Sequence, residues 1–193
     1  MTAGHRDAPE GVVDLRRLDL APGAGARVDV AVALEEIMLG GQPYAPDPPV
    51  VDAHLDVGSS GSGLGLRLRF ATTLTGPCQR CLAPSRLTVE VDARDFQASG
   101  RGDADEPDED LDCEYLGGPV RMELDVGAWA RDVVAEELPM SILCREDCAG
   151  LCARCGADLN TTPCDCTDDA VDPRWAALGE LKERLGDAEV DAG

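Results

Sequence analysis

A chain of 193 residues with a formal net charge of −21 holds one ordinary domain, or one domain with a small appendage. Hydrophobic residues make up 44% of it but aromatics only 3%, so any core must be aliphatic, built from Leu, Val and Ala. The charge argues against broad, nonspecific binding to a phosphate backbone, although a local basic patch can still act.

Residues 1–10 are expected to form a disordered tail. The N-terminal sequence MTAGHRDAPEGVVDLRRL has no apolar stretch of signal-peptide length, and no run approaches the roughly 18 apolar residues of a membrane span. A cytoplasmic protein is therefore expected, in a compartment where thiols stay reduced.

Val12-Val13-Asp14-Leu15 starts a strand, whereas Arg27 to Leu39 mixes Val, Ala and Glu in no decisive period. Pro43 to Pro49 holds four prolines and must be irregular or extended. Val50 to Val57 reads as a strand, closed by the turn sequence GSSGSG at 58–63. Leu64, Leu66, Leu68 and Phe70 then alternate with Gly65, Arg67 and Arg69, the period of a half-buried strand. Leu87, Val89, Val91 and Ala93 alternate in the same way with Thr88, Glu90 and Asp92. The connection carries Pro77-Cys78-Gln79-Arg80-Cys81, which predicts a β-hairpin with cysteines near its tip.

Residues 99–114 form an acidic, turn-rich loop with eight carboxylates from Asp103 to Glu114. It lacks the regular oxygen spacing and central Gly of a calcium loop and reads as a solvated insertion. After a short strand at Val120–Leu124, Val126, Trp129, Ala130, Val133 and Val134 fall on one helical face, with Asp125 as N-cap and Pro139 as stop. A last helix begins at Asp172-Pro173-Arg174-Trp175, and its narrow apolar face is Trp175, Leu178, Leu181 and Leu185. Residues 187–193 are expected to fray. The sum is an α+β domain over 11–143, a mostly antiparallel sheet with one packed helix. A cysteine-rich zinc knuckle and a short terminal helix follow over 144–186.

Eight of the nine cysteines fall in close pairs: Cys78/Cys81, Cys144/Cys148, Cys152/Cys155 and Cys164/Cys166. Cys113 stands alone. Two close pairs supply one tetrahedral tetrathiolate, the preferred set of closed-shell, borderline-soft Zn2+. Glycine after the second cysteine, as in Cys152-Ala-Arg-Cys155-Gly156, lets backbone N–H groups approach sulfur. The segment 144–166 holds six cysteines in 23 residues and little apolar sequence to fold on, so a metal must offset its ordering entropy. One partition gives a distal site of Cys152, Cys155, Cys164 and Cys166, and a proximal site of Cys78, Cys81, Cys144 and Cys148. Another uses one zinc and the C-terminal six cysteines alone, leaving Cys78 and Cys81 free. Iron in a rubredoxin-like site and thiol redox chemistry remain open on the same ligands.

Catalytic signals are absent. His5 and His54 have no nucleophile nearby in sequence, and there is no GxSxG, phosphate-binding Gly-rich loop or HExxH, so no enzyme and no small-molecule substrate are expected. Residues 64–94 are a basic island of net +3, with Arg67, Arg69, Arg80, Arg86 and Arg94 against Glu90 and Asp92. It is either ordinary solvent-facing strand or a contact surface for RNA or an acidic protein.

Cys78-Gln79-Arg80-Cys81-Leu82, Glu137-Leu138-Pro139, Leu143-Cys144-x3-Cys148-x-Gly150-Leu151-Cys152-x2-Cys155-Gly156, Cys164-x-Cys166 and Asp172-Pro173-Arg174-Trp175 together resemble the YceD family. This is the bacterial large ribosomal RNA subunit accumulation protein family, and the likeness runs from about residue 12 to 185. The resemblance implies a role in accumulating large-subunit ribosomal RNA, with pre-ribosomal RNA or a ribosomal or assembly protein as partner. Some relatives keep the CxxC hairpin and ligands near Cys144 and Cys148 while lacking the later cysteines, which favours the proximal pairing. The acidic loop is longer here than in shorter members and is not part of what they share.

Overall fold

The computed structural model describes residues 11–99, 113–117, 122–166 and Leu178. The expected N-terminal tail, most of the acidic loop and most of the terminal helix and tail lie outside these residues. The chain divides into two compact units between Cys148 and Ala149.

In the larger unit the strands are β1 (Val12–Asp14), β2 (Gly25–Ala33), β3 (Ile37–Leu39), β4 (Gln42–Pro46), β5 (Val50–Ser59), β6 (Gly63–Pro77), β7 (Pro84–Ala98) and β8 (Glu123–Asp125), followed by helix α1 (Val126–Glu136). All pairings are antiparallel. β1 and β8 make a two-stranded sheet, and the other six strands make one sheet centred on β6. β7 pairs with β6 along its whole length, from Gly63↔Ala98 to Pro77↔Pro84. The opposite edge of β6 is shared by β5 at residues 64–69 and by β4 at Leu74 and Thr75. β2 continues the sheet beyond β5, and β3 beyond β4.

The expected period-two alternation fixes which face is which. Leu66, Leu68, Phe70 and Leu74 of β6, Val51, Ala53, Leu55 and Val57 of β5, and Val89 and Val91 of β7 are buried on the inner face. Arg67, Arg69, Asp56, Asp92 and Arg94 stand on the outer face. Each fully buried Leu or Val contributes about 1.5–3 kcal/mol relative to an exposed one, so this aliphatic face is the principal stabiliser of the sheet. The ambiguous stretch after Arg27 proves to be β2 and β3, with Val28, Val30 and Val32 inward.

Helix α1 closes the inner face with Val126, Trp129, Ala130, Val133 and Val134, the face read from the sequence. The Asp125 carboxylate accepts the Ala128 N–H at 2.9 Å, satisfying one of the orphan donors of the first turn. Tyr115 stacks on Trp129 with ring centroids 6.0 Å apart and planes at 19°, and its hydroxyl donates to Asp132. No helix among the described residues is long and apolar enough to cross a membrane.

Candidate metal centres

The β6–β7 hairpin ends in the turn 78–83, and that turn is held from three sides. Tyr44 of β4, fully buried, donates its hydroxyl to the Pro77 carbonyl at 2.7 Å. A Cβ at Gly76 would lie 2.5 Å from the Tyr44 ring, so glycine is required there for the ring to cross β6. Gln79 donates its side-chain amide to the Leu39 carbonyl and its backbone N–H to the Ile142 carbonyl, both at 3.0 Å. The last contact brings the segment that leaves α1 against the hairpin tip.

The sulfurs of Cys78, Cys81, Cys144 and Cys148 thereby come within 4.8 Å of one another. Cys78 and Cys148 Sγ are 3.8 Å apart, and Cys81 and Cys144 Sγ are 3.6 Å apart. These are neither bonded disulfides nor random neighbours. A metal–sulfur distance of ~2.3 Å places the corners of a tetrahedron about 3.8 Å apart. Cys78, Cys81 and Cys148 are buried, whereas Cys144 is exposed. Arg80 donates to the Cys148 carbonyl at 2.9 Å and so clamps the two ligand segments together.

In the smaller unit the sulfurs of Cys152, Cys155, Cys164 and Cys166 also lie within 4.8 Å of one another, and this cluster is more exposed. The two CxxC turns are built alike. Leu82 N–H donates to the Cys78 carbonyl and Gly156 N–H to the Cys152 carbonyl, both at 2.9 Å. Cys78 N–H reaches Ala83 O at 2.7 Å, and Cys152 N–H reaches Ala157 O at 2.8 Å. Gly156 has φ +71°, the left-handed conformation that glycine adopts freely. Asn160 accepts the Ala149 N–H at 2.8 Å, and Leu159 N–H bonds Gly150 O, which closes the knuckle on itself.

The turns also shape the acidity of the sulfurs. Burial opposes ionisation of Cys78, but backbone N–H groups of Cys81, Arg80 and Cys144 outweigh it and bring the thiol down to about 6. Cys152 is brought to about 6 by the backbone N–H groups of Cys155 and Arg154. Cys144 and Cys166 are pushed up to about 12, first by their contacts with Cys81 and Cys155 respectively. Each metal-free cluster thus accepts one thiolate readily and resists the next, and a cation removes that resistance. Two four-sulfur clusters, each able to hold one ion, are the outcome. Cys113 is buried in the core, which pushes its thiol up to about 12 and leaves it inert.

Three of the five arginines of the basic island, Arg69, Arg80 and Arg86, have partners outside the 64–94 window. Arg67 forms two hydrogen bonds to Asp92 across the hairpin, Nε to Oδ1 at 2.6 Å. Arg69 pairs with Asp56 of β5 at 2.8 Å, and Arg86 with Asp47 at 3.0 Å. Asp56 also takes Arg27 at 2.6 Å, and that bond holds its carboxyl below the ordinary value. With Arg80 on Cys148, Arg94 is the member without a hydrogen bond or ion pair among the described residues. No sequence signal marked Tyr44, Gln79 or Asp56 for these roles.

A family model described as large ribosomal RNA subunit accumulation protein YceD matches residues 66–182. Uncharacterised proteins of Mycobacterium tuberculosis and Mycobacterium bovis are each 33% identical over 181 residues, covering 93% of this chain and 85% of the relative. An Arabidopsis thaliana protein named large ribosomal RNA subunit accumulation protein YCED homolog 1, chloroplastic, is 29% identical over 167 residues, covering 75% of this chain and 52% of the relative. No solved structure matches.

Proposed function

Since the chain belongs to the YceD family of large ribosomal RNA subunit accumulation proteins, we propose that it is a noncatalytic, cytoplasmic factor in large-subunit ribosomal RNA accumulation. In this reading both cysteine clusters hold structural zinc, and the hairpin end meets a pre-ribosomal RNA or protein. The observation that carries it is the joining of the family's CxxC hairpin to Cys144 and Cys148 in one four-sulfur cluster. Four thiolates close a tetrahedron and leave no open position for a substrate, so the ion's contribution would be to fix the turn. Arg94 is the arginine of the island best able to reach an RNA, because Arg67, Arg69 and Arg86 are engaged with carboxylates and Arg80 with the Cys148 carbonyl.

The test is a deletion strain complemented with the wild type or with Cys78→Ser, scored by the ratio of large- to small-subunit ribosomal RNA. The expected result is a reduced ratio, restored by the wild type and not by the variant. A normal ratio in the deletion strain would sink the proposal.

A pH titration of the metal-loaded protein is expected to show release only below about pH 6, because a bound cation holds the Cys78 and Cys152 thiolates ionised below their metal-free values. The sign follows from their lowered values. For these two groups in the metal-free chain, the gain relative to an ordinary thiol near 9.0 is complete at pH 9 and is lost as pH falls through 6, and a bound ion carries that loss lower. A zinc-sensitive dye reads this directly. Release that begins already above pH 8 would contradict it. The competing reading, thiol redox or metal handling, requires a cysteine pair that oxidises reversibly in the metal-loaded protein, or metal that exchanges readily with a chelator.

A further inference from the structure

The two CxxC turns share one backbone, yet they differ at the residue after the second cysteine. The smaller unit places Gly156 there, at φ +71°, and the hairpin tip places Leu82 at φ +61°. A leucine in the left-handed region is strained by its Cβ, and this strain is ordinarily relieved by glycine or asparagine. Packing does not compensate it, because Leu82 is 56% exposed. The molecule therefore contains its own control: the same turn closes with glycine in one unit and carries a strained, solvent-facing leucine in the other.

Two further exposed apolar side chains lie on the segments that this turn bonds. Gln79, in the same turn, bonds the carbonyls of Leu39 and Ile142. Met38, beside the first, is 61% exposed, and Met140, two residues before the second, is fully exposed. A strained backbone held at an exposed apolar residue is the kind of outlier from which a contact role is inferred.

We propose that Leu82 is the anchor of a protein–protein interface, inserting into an apolar socket on a basic protein partner, with Met38 and Met140 at its margin. Charge complementarity selects the partner's class. A chain of net −21 attracts a basic protein and repels both RNA and a second copy of itself. The arginines that would have favoured an acidic partner are mostly bound to Asp92, Asp56 and Asp47. The proposal rests on the ribosomal reading for the choice of partner, a basic protein of the large subunit.

The test uses the full metal-loaded chain as wild type, Leu82→Gly and Leu82→Asn. Each is titrated against proteins extracted free of RNA from the organism's large ribosomal subunit, and separately against that subunit's RNA free of protein. Any protein retained is identified, purified and titrated alone. Both variants suit the left-handed turn, so metal content and melting midpoint are expected to be no lower than in the wild type. Affinity for one basic protein is expected to fall at least about tenfold in both, as on truncation of a buried anchor. A lowered midpoint or lost metal in Leu82→Gly would overturn the proposal by making the leucine structural. So would unchanged protein binding, a dependence of RNA binding or self-association on Leu82, or no large-subunit protein held by the wild type. The last of these is distinct from failure of the ribosomal reading, which the ratio of ribosomal RNAs in the deletion strain measures independently.

Discussion

A Cys78→Ser variant is expected to lose more than about 4 kcal/mol of unfolding free energy, the range reserved for losing a metal or leaving a buried group unpaired. Cys78 is fully buried, its sulfur lies 3.8 Å from that of Cys148, and its thiolate is the one the turn's N–H groups favour. Serine is a shorter, harder ligand that stays protonated, so three sulfurs would remain around an ion that needs four. The cluster also ties positions 78 and 148, seventy residues apart. A cross-link that closes a loop of this length stabilises by restricting the unfolded chain. Urea unfolding checks the prediction, and chelation supplies the control. Wild type stripped of metal should unfold close to the variant, and a variant as stable as the loaded wild type would show that the cluster holds nothing.

Trp129→Ala is expected to cost about 3–5 kcal/mol, the usual range for deleting a buried indole. Trp129 is 2% exposed, packs the centre of α1 onto the sheet and stacks on Tyr115. Trp129→Phe retains most of the packed volume and should cost markedly less. The ratio of the two, from denaturant unfolding followed by far-ultraviolet dichroism, separates a packing role from a hydrogen-bonding one. Equal losses would mean that the indole N–H, and not the buried ring, holds the helix.

How much of this was legible in the sequence depended on whether the relevant partners are local. The β6–β7 hairpin and α1 announced themselves because their signals lie within one element, at periods of two and of three to four residues. Cysteine spacing gave the pairs, and the structure gathers them as 78/81 with 144/148 and as 152/155 with 164/166. β2 was illegible because its inward Val30 and Val32 alternate with Ala31 and Ala33, which are apolar too and blur the period of two. β4 carries prolines that argue against a strand. Both are nevertheless paired, Pro43 opposite Met38 of β3 and Pro46 opposite Leu74 of β6, in ladders of only three and two pairs. The basic island looked unpaired because Asp47 and Asp56 approach it through strand pairing, which a window on 64–94 cannot contain. Leu82 carried a signal only by contrast, as the residue standing where the second CxxC turn has glycine.

The measurement that tests the two-zinc account most directly is the metal content of protein purified without added metal, beside Cys78→Ser and Cys164→Ser. Two zinc per chain, falling to one in each variant, is the expected result, because each substitution removes a ligand from a different one of the two clusters. Iron in place of zinc, or metal content that does not fall in Cys78→Ser, would contradict it.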